Sequence, residues 1–326
     1  MLSCKLNFKE YQLHWTKRAW WPQSAYKRLS PEQQCHVQKV EYVTKMDVIA
    51  KIPCQRWFYD ACYFLPAPHI VHLELQDYYN LPLPEVPNLL FLKLGDHFNQ
   101  SLQLPNSLKT LVLGYDFNQP LLLPPGLTRL DVNPKFQQML ELPVSLLTLK
   151  YNSSFPLPML PSWLLHLHLG LWFEHPLPEE LPPLLEILEL GDLFTSMLPR
   201  LPSTLKQLRL GQLFNHPLPD LPSGLISLNL GRDFSHPLPS LPTGLLYLYL
   251  GNSFFHMFVV PPNLKYLLLG HFYGQPLLIP DNTKVEQLRC STTNCNMHTI
   301  KHHTCKQFCG IKSYYCMSCV ADVSQT

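Results

Sequence analysis

Charge is scarce in this chain: 15% of its 326 residues are charged, and the formal net charge is +2. A global field suited to nucleic acid or to an anionic membrane surface is therefore excluded, and partners must be argued locally. Glycine is scarce too, at thirteen residues. No glycine-rich phosphate loop is legible, nor a nucleophile with a base beside it, so catalysis is not expected. Long apolar runs are missing, since none reaches the roughly 18 residues that cross a bilayer as a helix. The opening "MLSCKLNFKEYQLHW" breaks every apolar stretch with charge and offers no small-residue cleavage site. An intracellular, cytoplasmic location is expected. Ten cysteines are confined to positions 4 to 62 and 290 to 319, leaving the middle bare. In a reducing compartment such clusters read as free thiols or metal ligands before disulfides.

What is present is a period. Aligned on one anchor position, the chain repeats at Gln76, Gly95, Gly114, Asn133, Asn152, Gly170, Gly191, Gly211, Gly231, Gly251, Gly270 and Ser291, in steps of 18 to 21 residues. Six, three and one residues before the anchor the side chain is nearly always aliphatic, as in Leu205, Leu208 and Leu210. Three residues after it comes an aromatic: Tyr79, Phe98, Phe117, Phe136, Phe155, Phe173, Phe194, Phe214, Phe234, Phe254 and Tyr273. Leu-x-Leu alternates with the period of a strand, so each unit holds one short strand with two leucines inward. One such strand cannot bury its face alone, and stacking supplies the missing cover. The expected architecture is a solenoid with a parallel β-sheet of about 12 short strands and little helix. The aromatics form a second inner column, and the anchor takes either a positive φ or a tight backbone approach, with asparagine the best substitute for glycine. Most of the thirty-three prolines gather in the returns, such as "PLPDLPSGL" at 217 to 225, which should run extended.

The motif L-x-x-L-x-L-G-x-x-F-N-x-P, nearly whole at Leu108 to Pro120 and Leu205 to Pro217, resembles the FNIP repeat, a leucine-rich-repeat variant of social amoebae and giant viruses. The resemblance covers roughly residues 70 to 290 and departs at "FQQM" and "FPLP" after Asn133 and Asn152. It implies a leucine-rich-repeat-like solenoid, no catalysis and a role in binding other proteins. Many members carry an amino-terminal F-box, which implies presenting targets to a ubiquitin ligase.

Outside the repeats, residues 1–35 form a basic and aromatic head with Lys17, Arg18, Trp20, Trp21 and Arg28. A helical cap starting at Ser30-Pro31, a degenerate F-box and a partner patch all remain open for it. Residues 36–69 read as an amino-terminal capping rung, with Val37, Val40 and Tyr42 at ladder spacing and an insertion at 54 to 62. Residues 291–326 are a cysteine- and histidine-rich tail. There Cys305, Cys309, Cys316 and Cys319 can present four thiolates to zinc, and Cys290, Cys295, His298 and His302 offer a second set. A cap with buried thiols accounts for the same residues without metal.

Two repeated columns carry polar chemistry. His175, His216, His236 and His256 stand two residues after the aromatic, where other units have Gln100, Gln119, Gln138 and Gln275. A hydrogen-bonding ladder at a turn explains both residue types without a ligand. The outward strand positions, four and two before the anchor, vary freely: Phe91 and Lys93, Arg129 and Asp131, His166 and His168, Gln207 and Arg209, Tyr247 and Tyr249, Tyr266 and Leu268. Fixed leucines with variable neighbours suit recognition. Candidate partner-binding residues are Tyr247, Tyr249, Tyr266, Arg209, Arg129, His168 and Phe91, and the three tyrosines with Arg209 are of types enriched in interface hot spots. Aromatics on a sheet also serve strand pairing alone. The expected function is a non-catalytic protein-binding scaffold, in its finer form the target-recognition part of a ubiquitin-ligase adaptor. The alternative is a zinc-dependent nucleic-acid-binding or assembly factor acting through tail and head. No small-molecule substrate, membrane or cofactor other than that zinc is expected.

Overall fold

The computed structural model describes residues 71–288 except 76 and 84, together with the backbone of Trp21–Pro22 and Lys39–Tyr42. The chain divides into two compact units, Met1–Leu146 and Leu147–Thr326. The first unit holds β1 (Trp21–Pro22), β2 (Lys39–Tyr42), β3 (His72–Leu75), β4 (Phe91–Lys93), β5 (Thr110–Val112) and β6 (Arg129–Val132). The second holds β7 (Thr148–Tyr151), β8 (His166–Leu169), β9 (Ile187–Glu189), β10 (Gln207–Arg209), β11 (Ser227–Asn229), β12 (Tyr247–Tyr249), β13 (Tyr266–Leu269) and β14 (Lys284–Gln287). Within each unit every strand pairs in parallel with its sequence neighbours. The twelve strands β3 to β14 belong to the repeats, and no helix occurs among the described residues.

Pairing is in step with the sequence period. Leu208 lies opposite Leu188 on one side and Leu228 on the other, so like meets like along the sheet. The leucines before each anchor are shut from solvent, with Leu205, Leu208 and Leu210 at most 3% exposed. Burying each contributes about 1.5–3 kcal/mol against leaving it in water. Behind them the aromatic column is continuous within each unit. Phe98, Phe117 and Phe136 stack at 6.2 Å centroid spacing, and Phe173, Phe194, Phe214, Phe234, Phe254 and Tyr273 at 6.0 to 6.4 Å. These spacings lie in the favourable range for offset rings.

Two β-turns close each regular repeat. In one, the amide of the aromatic donates to the carbonyl of the anchor, as Phe117 does to Gly114 at 3.2 Å. In the other, the first leucine donates to a proline three residues back, as Leu108 does to Pro105 at 3.1 Å. Proline fits the first position because it has no amide to satisfy there. The returns between the turns are extended, with one isolated parallel bridge between Glu180 and Arg200.

The structure decides one open alternative and corrects three expectations. The anchor glycines do not have positive φ; the alternative, close approach, is what the structure shows. A methyl group built on Gly114 would overlap the carbonyl of Gly95, and one on Gly231 that of Gly211. Stacked turns leave no room for a Cβ pointing at the rung below. Asn133 holds its anchor position by hydrogen bonds instead: its Nδ2 donates to the Phe117 carbonyl at 2.9 Å and its Oδ1 accepts from the Lys135 amide at 2.8 Å.

Phe155 departs from the inner column, being only half-buried. Tyr151, one residue before the anchor, is 1% exposed and packs edge-on against Phe173 at 6.2 Å. A ring large enough to fill the interior arrives from the strand, so the later aromatic is displaced outward. The last rung is also out of register with the anchor at Ser291. Val285 pairs with Leu267 and Leu288 donates to the Leu269 carbonyl at 2.9 Å, which puts Leu288 at the anchor position. The Thr283 hydroxyl donates to the Leu264 carbonyl at 2.7 Å and pins the shorter rung. Finally, β1 pairs on the far side of β2, so the strand at Lys39–Tyr42 is not the outermost one.

Candidate functional site

The strand alternation that hides the leucines presents the residues between them. In the second unit the outward columns read Gln207, Ser227, Tyr247, Tyr266 and Lys284, and beside them Arg209, Asn229, Tyr249, Leu268 and Glu286, each in register with the next. Three of the sequence-named residues meet here. Tyr249 and Tyr266 lie 5.5 Å apart, ring to ring, tilted at 45°, and Tyr247 pairs with Tyr266 across the strands and is 38% exposed. Arg209 stands two strands away in the Tyr249 column.

The tyrosine cluster is held from one side. The Tyr266 hydroxyl donates to Glu286 at 2.8 Å, and the Lys284 ammonium lies 5.6 Å from the Tyr266 ring centre while pairing with Glu286 at 2.7 Å. Hydrogen bonds from Lys284 and from Tyr266 hold the Glu286 carboxyl below the usual range. Sequence reading missed Lys284 and Glu286. The three-residue slip in the last rung gave Leu288 the inward place that Val285 holds and so hid the polar residues on either side of Val285.

His168 is elsewhere on this face, its Nδ1 at 2.9 Å from Glu189 of the next strand. Its neighbour His166 has its pKa lowered, first by burial and then by His168. Phe91 and Arg129 lie in the first unit, on β4 and β6. Phe91 stacks on His72 at 4.0 Å, and Arg129 donates to Asp131 Oδ2 at 2.9 Å. The other Asp131 oxygen is buried without a hydrogen-bond partner. The seven candidates therefore form one aromatic cluster with a nearby arginine, plus separate pairs.

Histidines at the turns are not gathered into a metal centre. His175, His236 and His256 each place Nε2 at 2.7 to 3.1 Å from a backbone carbonyl of the preceding rung. Gln119 and Gln138 reach the preceding rung likewise through asparagine side chains. Asn80, Asn99 and Asn118 continue this ladder, each accepting the amide of residues 99, 118 and 137 at 2.9 Å. No group of three or more metal-ligating side chains occurs among the described residues. Cys305, Cys309, Cys316 and Cys319, like Cys290, Cys295, His298 and His302, lie outside those residues.

One polar chain runs along the turn edge of the first unit. Tyr78 stacks on His97 at 5.2 Å, and Asp116 meets His97 Nδ1 and Lys135 Nζ at 2.6 Å each. Lys135 in turn sits 4.5 Å over the Tyr115 ring. The bonds from Lys135 and His97 lower the Asp116 pKa, and Asp116 raises that of Lys135. His97, Asp116, Lys135 and the asparagine ladder line an open hollow, but both Asp116 oxygens are already taken.

A stacked parallel sheet with leucine and phenylalanine columns and extended returns defines a leucine-rich-repeat-like solenoid. The FNIP repeat model matches residues 98–122 and 214–253, and the chain carries FNIP repeats. Among solved structures it is similar to CroV588, described as a novel circular LRR protein, at 24% identity and a TM-score of 0.61. That match covers 79% of this chain but 44% of the other, so the chain spans less than half of its neighbour's length. It is also similar to YopM from Yersinia enterocolitica WA-314, at 24% identity over 69% of this chain and 61% of that one, with a TM-score of 0.46. No curated protein matches the sequence. Repeat scaffolds of this kind are generally non-catalytic. No helix among the described residues is long and apolar enough to cross a membrane.

Proposed function

We propose that the chain is a protein-binding scaffold whose partner lands on the outward strand face of the second unit. One observation carries this reading: the strands keep their inward leucines constant while the outward residues change from rung to rung. Constancy inside satisfies the stacking, and variation outside answers to something else. Tyr247, Tyr249 and Tyr266 supply large rigid area with polar tips, and Arg209 supplies a planar cation, the side chains that dominate interface energetics.

The finer role, target recognition for a ubiquitin ligase, rests on the pairing of such repeats with an F-box in related proteins. Co-purification of ligase core subunits with the expressed full chain tests it, and their absence at full expression removes it. For the face itself, affinity capture compares the wild type with a Tyr247→Ala, Tyr249→Ala, Tyr266→Ala variant. Loss of the captured partners is expected while the variant still unfolds cooperatively, its midpoint lowered by the lost Tyr266–Glu286 bond. An unchanged partner set moves the binding surface elsewhere.

A further inference from the structure

The same face carries a more specific message about its partner, and this inference rests on the proposal that a partner docks there. Arg209 is exposed and lies in register between Glu189 and Asn229. Glu189 is the nearest candidate to neutralise it, but its Oε2 lies 2.9 Å from His168 Nδ1 instead. Arg209 makes no ion pair among the described residues. By contrast Lys284, at the other end of the cluster, is satisfied by Glu286, and Lys206, beside the strand, by Glu186 at 2.6 Å. A fork of guanidinium donors is thus left facing outward, and a carboxylate is the group that matches it in shape and charge.

The distance from this cation to the aromatic cluster narrows the choice of ligand backbone. Arg209 and Tyr249 are two strands apart in one column, with Asn229 between them. At about 4.8 Å per strand, the two lie roughly 10 Å apart. An extended β-strand laid across the face shows same-side residues every two positions, at about 6.7 and 13 Å, and misses this interval. A polyproline II segment repeats every three residues at about 9.3 Å, with both residues on one face. Its backbone carbonyls have no internal partners, and the carboxamide of Asn229 stands where the middle of such a segment would pass. Proline rings dock well against tyrosine walls, and the Tyr249–Tyr266 pair, with Tyr266 fixed through Glu286, is such a wall.

We infer that the second unit binds a polyproline II segment of a partner protein in which an aspartate or glutamate on Arg209 is spaced three residues from a proline on Tyr247, Tyr249 and Tyr266. The probe is a displayed random-peptide library selected on the purified full chain. Enrichment of peptides with an acidic residue and a proline three positions apart, in either order, is expected. A selected peptide should bind Arg209→Glu about tenfold or more weaker than wild type, and replacing its acidic residue with lysine should restore binding to that variant. Arg209→Glu sets a carboxylate beside Glu189 and should lower the thermal unfolding midpoint slightly, so Arg209→Gln, which lacks that repulsion, is measured beside it and should weaken the peptide too. Three results overturn the inference: no enriched peptide, enrichment at another spacing such as the helical seven, or binding indifferent to Arg209→Glu. Sensitivity to the tyrosines without sensitivity to Arg209 sinks this chemistry and leaves the docking face standing. Selected peptides indifferent to all four residues sink both.

Discussion

The inward and outward columns occupy the same strands, one residue apart, and obey opposite rules. Inside, Leu208, Leu228 and Leu248 are interchangeable copies with at most 1% exposure. Outside, their neighbours are Arg209, Asn229 and Tyr249, which share neither size nor charge. The difference teaches where each kind of constraint comes from. A stacked interior must repeat because every rung packs against copies of itself, and one misfit is felt by two neighbours. The outer surface meets water, which imposes no period. The irregular rung around Asn152 shows how far the inner rule bends: the ring changes position, from Phe155 to Tyr151, and the interior of that rung is still filled by one.

The comparison can be broken by substitution on each side. Phe214→Ala removes a fully buried ring from between Phe194 and Phe234 and should cost about 3–5 kcal/mol in chemical denaturation. A loss under about 1 kcal/mol would contradict the shared dry column. Gly231→Ala pushes a methyl into the backbone of the rung below, and overpacking of this kind should cost about 1–3 kcal/mol or more. Asn99→Ala leaves the Asn118 amide and Gln119 without their acceptor at the turn and should cost about 1–2 kcal/mol. The tyrosine face should be nearly silent, with Tyr247→Ala within about 0.5 kcal/mol of wild type in the same measurement.

Acid sharpens the picture at the turn edge. The folded pKa of Asp116 lies below its ordinary value because Lys135 and His97 bond to its carboxylate. Its contribution is therefore present above the unfolded pKa and lost as pH falls through the folded one. Asp116→Asn should flatten the acid limb of stability slightly between about pH 4 and the onset of acid unfolding, since the groups are exposed. An identical acid limb in the two proteins would show that this polar chain contributes nothing measurable.

Much of the fold was legible because a repeat amplifies its own signal. Any single Leu-x-Leu could be a strand or a helix fragment, but the same spacing recurring before Gly191, Gly211 and Gly231 admits only stacked parallel strands. Legibility failed where copies were lost. With neither glycine nor phenylalanine at its end, the last rung was aligned three residues late. Backbone pairing of Val285 with Leu267 decided it instead. The candidate face was half legible: the sequence exposed the three tyrosines and Arg209, while their supports Lys284 and Glu286 appeared only with the true register.

By itself the sequence determined the period, the strand at each repeat, and which side chains face the dry interior, because hydrophobic alternation is local and was written many times over. Only the tertiary structure decided why the anchors are glycine, which ring fills the rung at Tyr151, and which charges cancel. Those depend on what the adjacent rung places within a few ångströms. Arg209 is such a case: it has no ion pair among the described residues, while Glu189 beside it meets His168, an arrangement of neighbours about twenty residues apart that no single repeat contains.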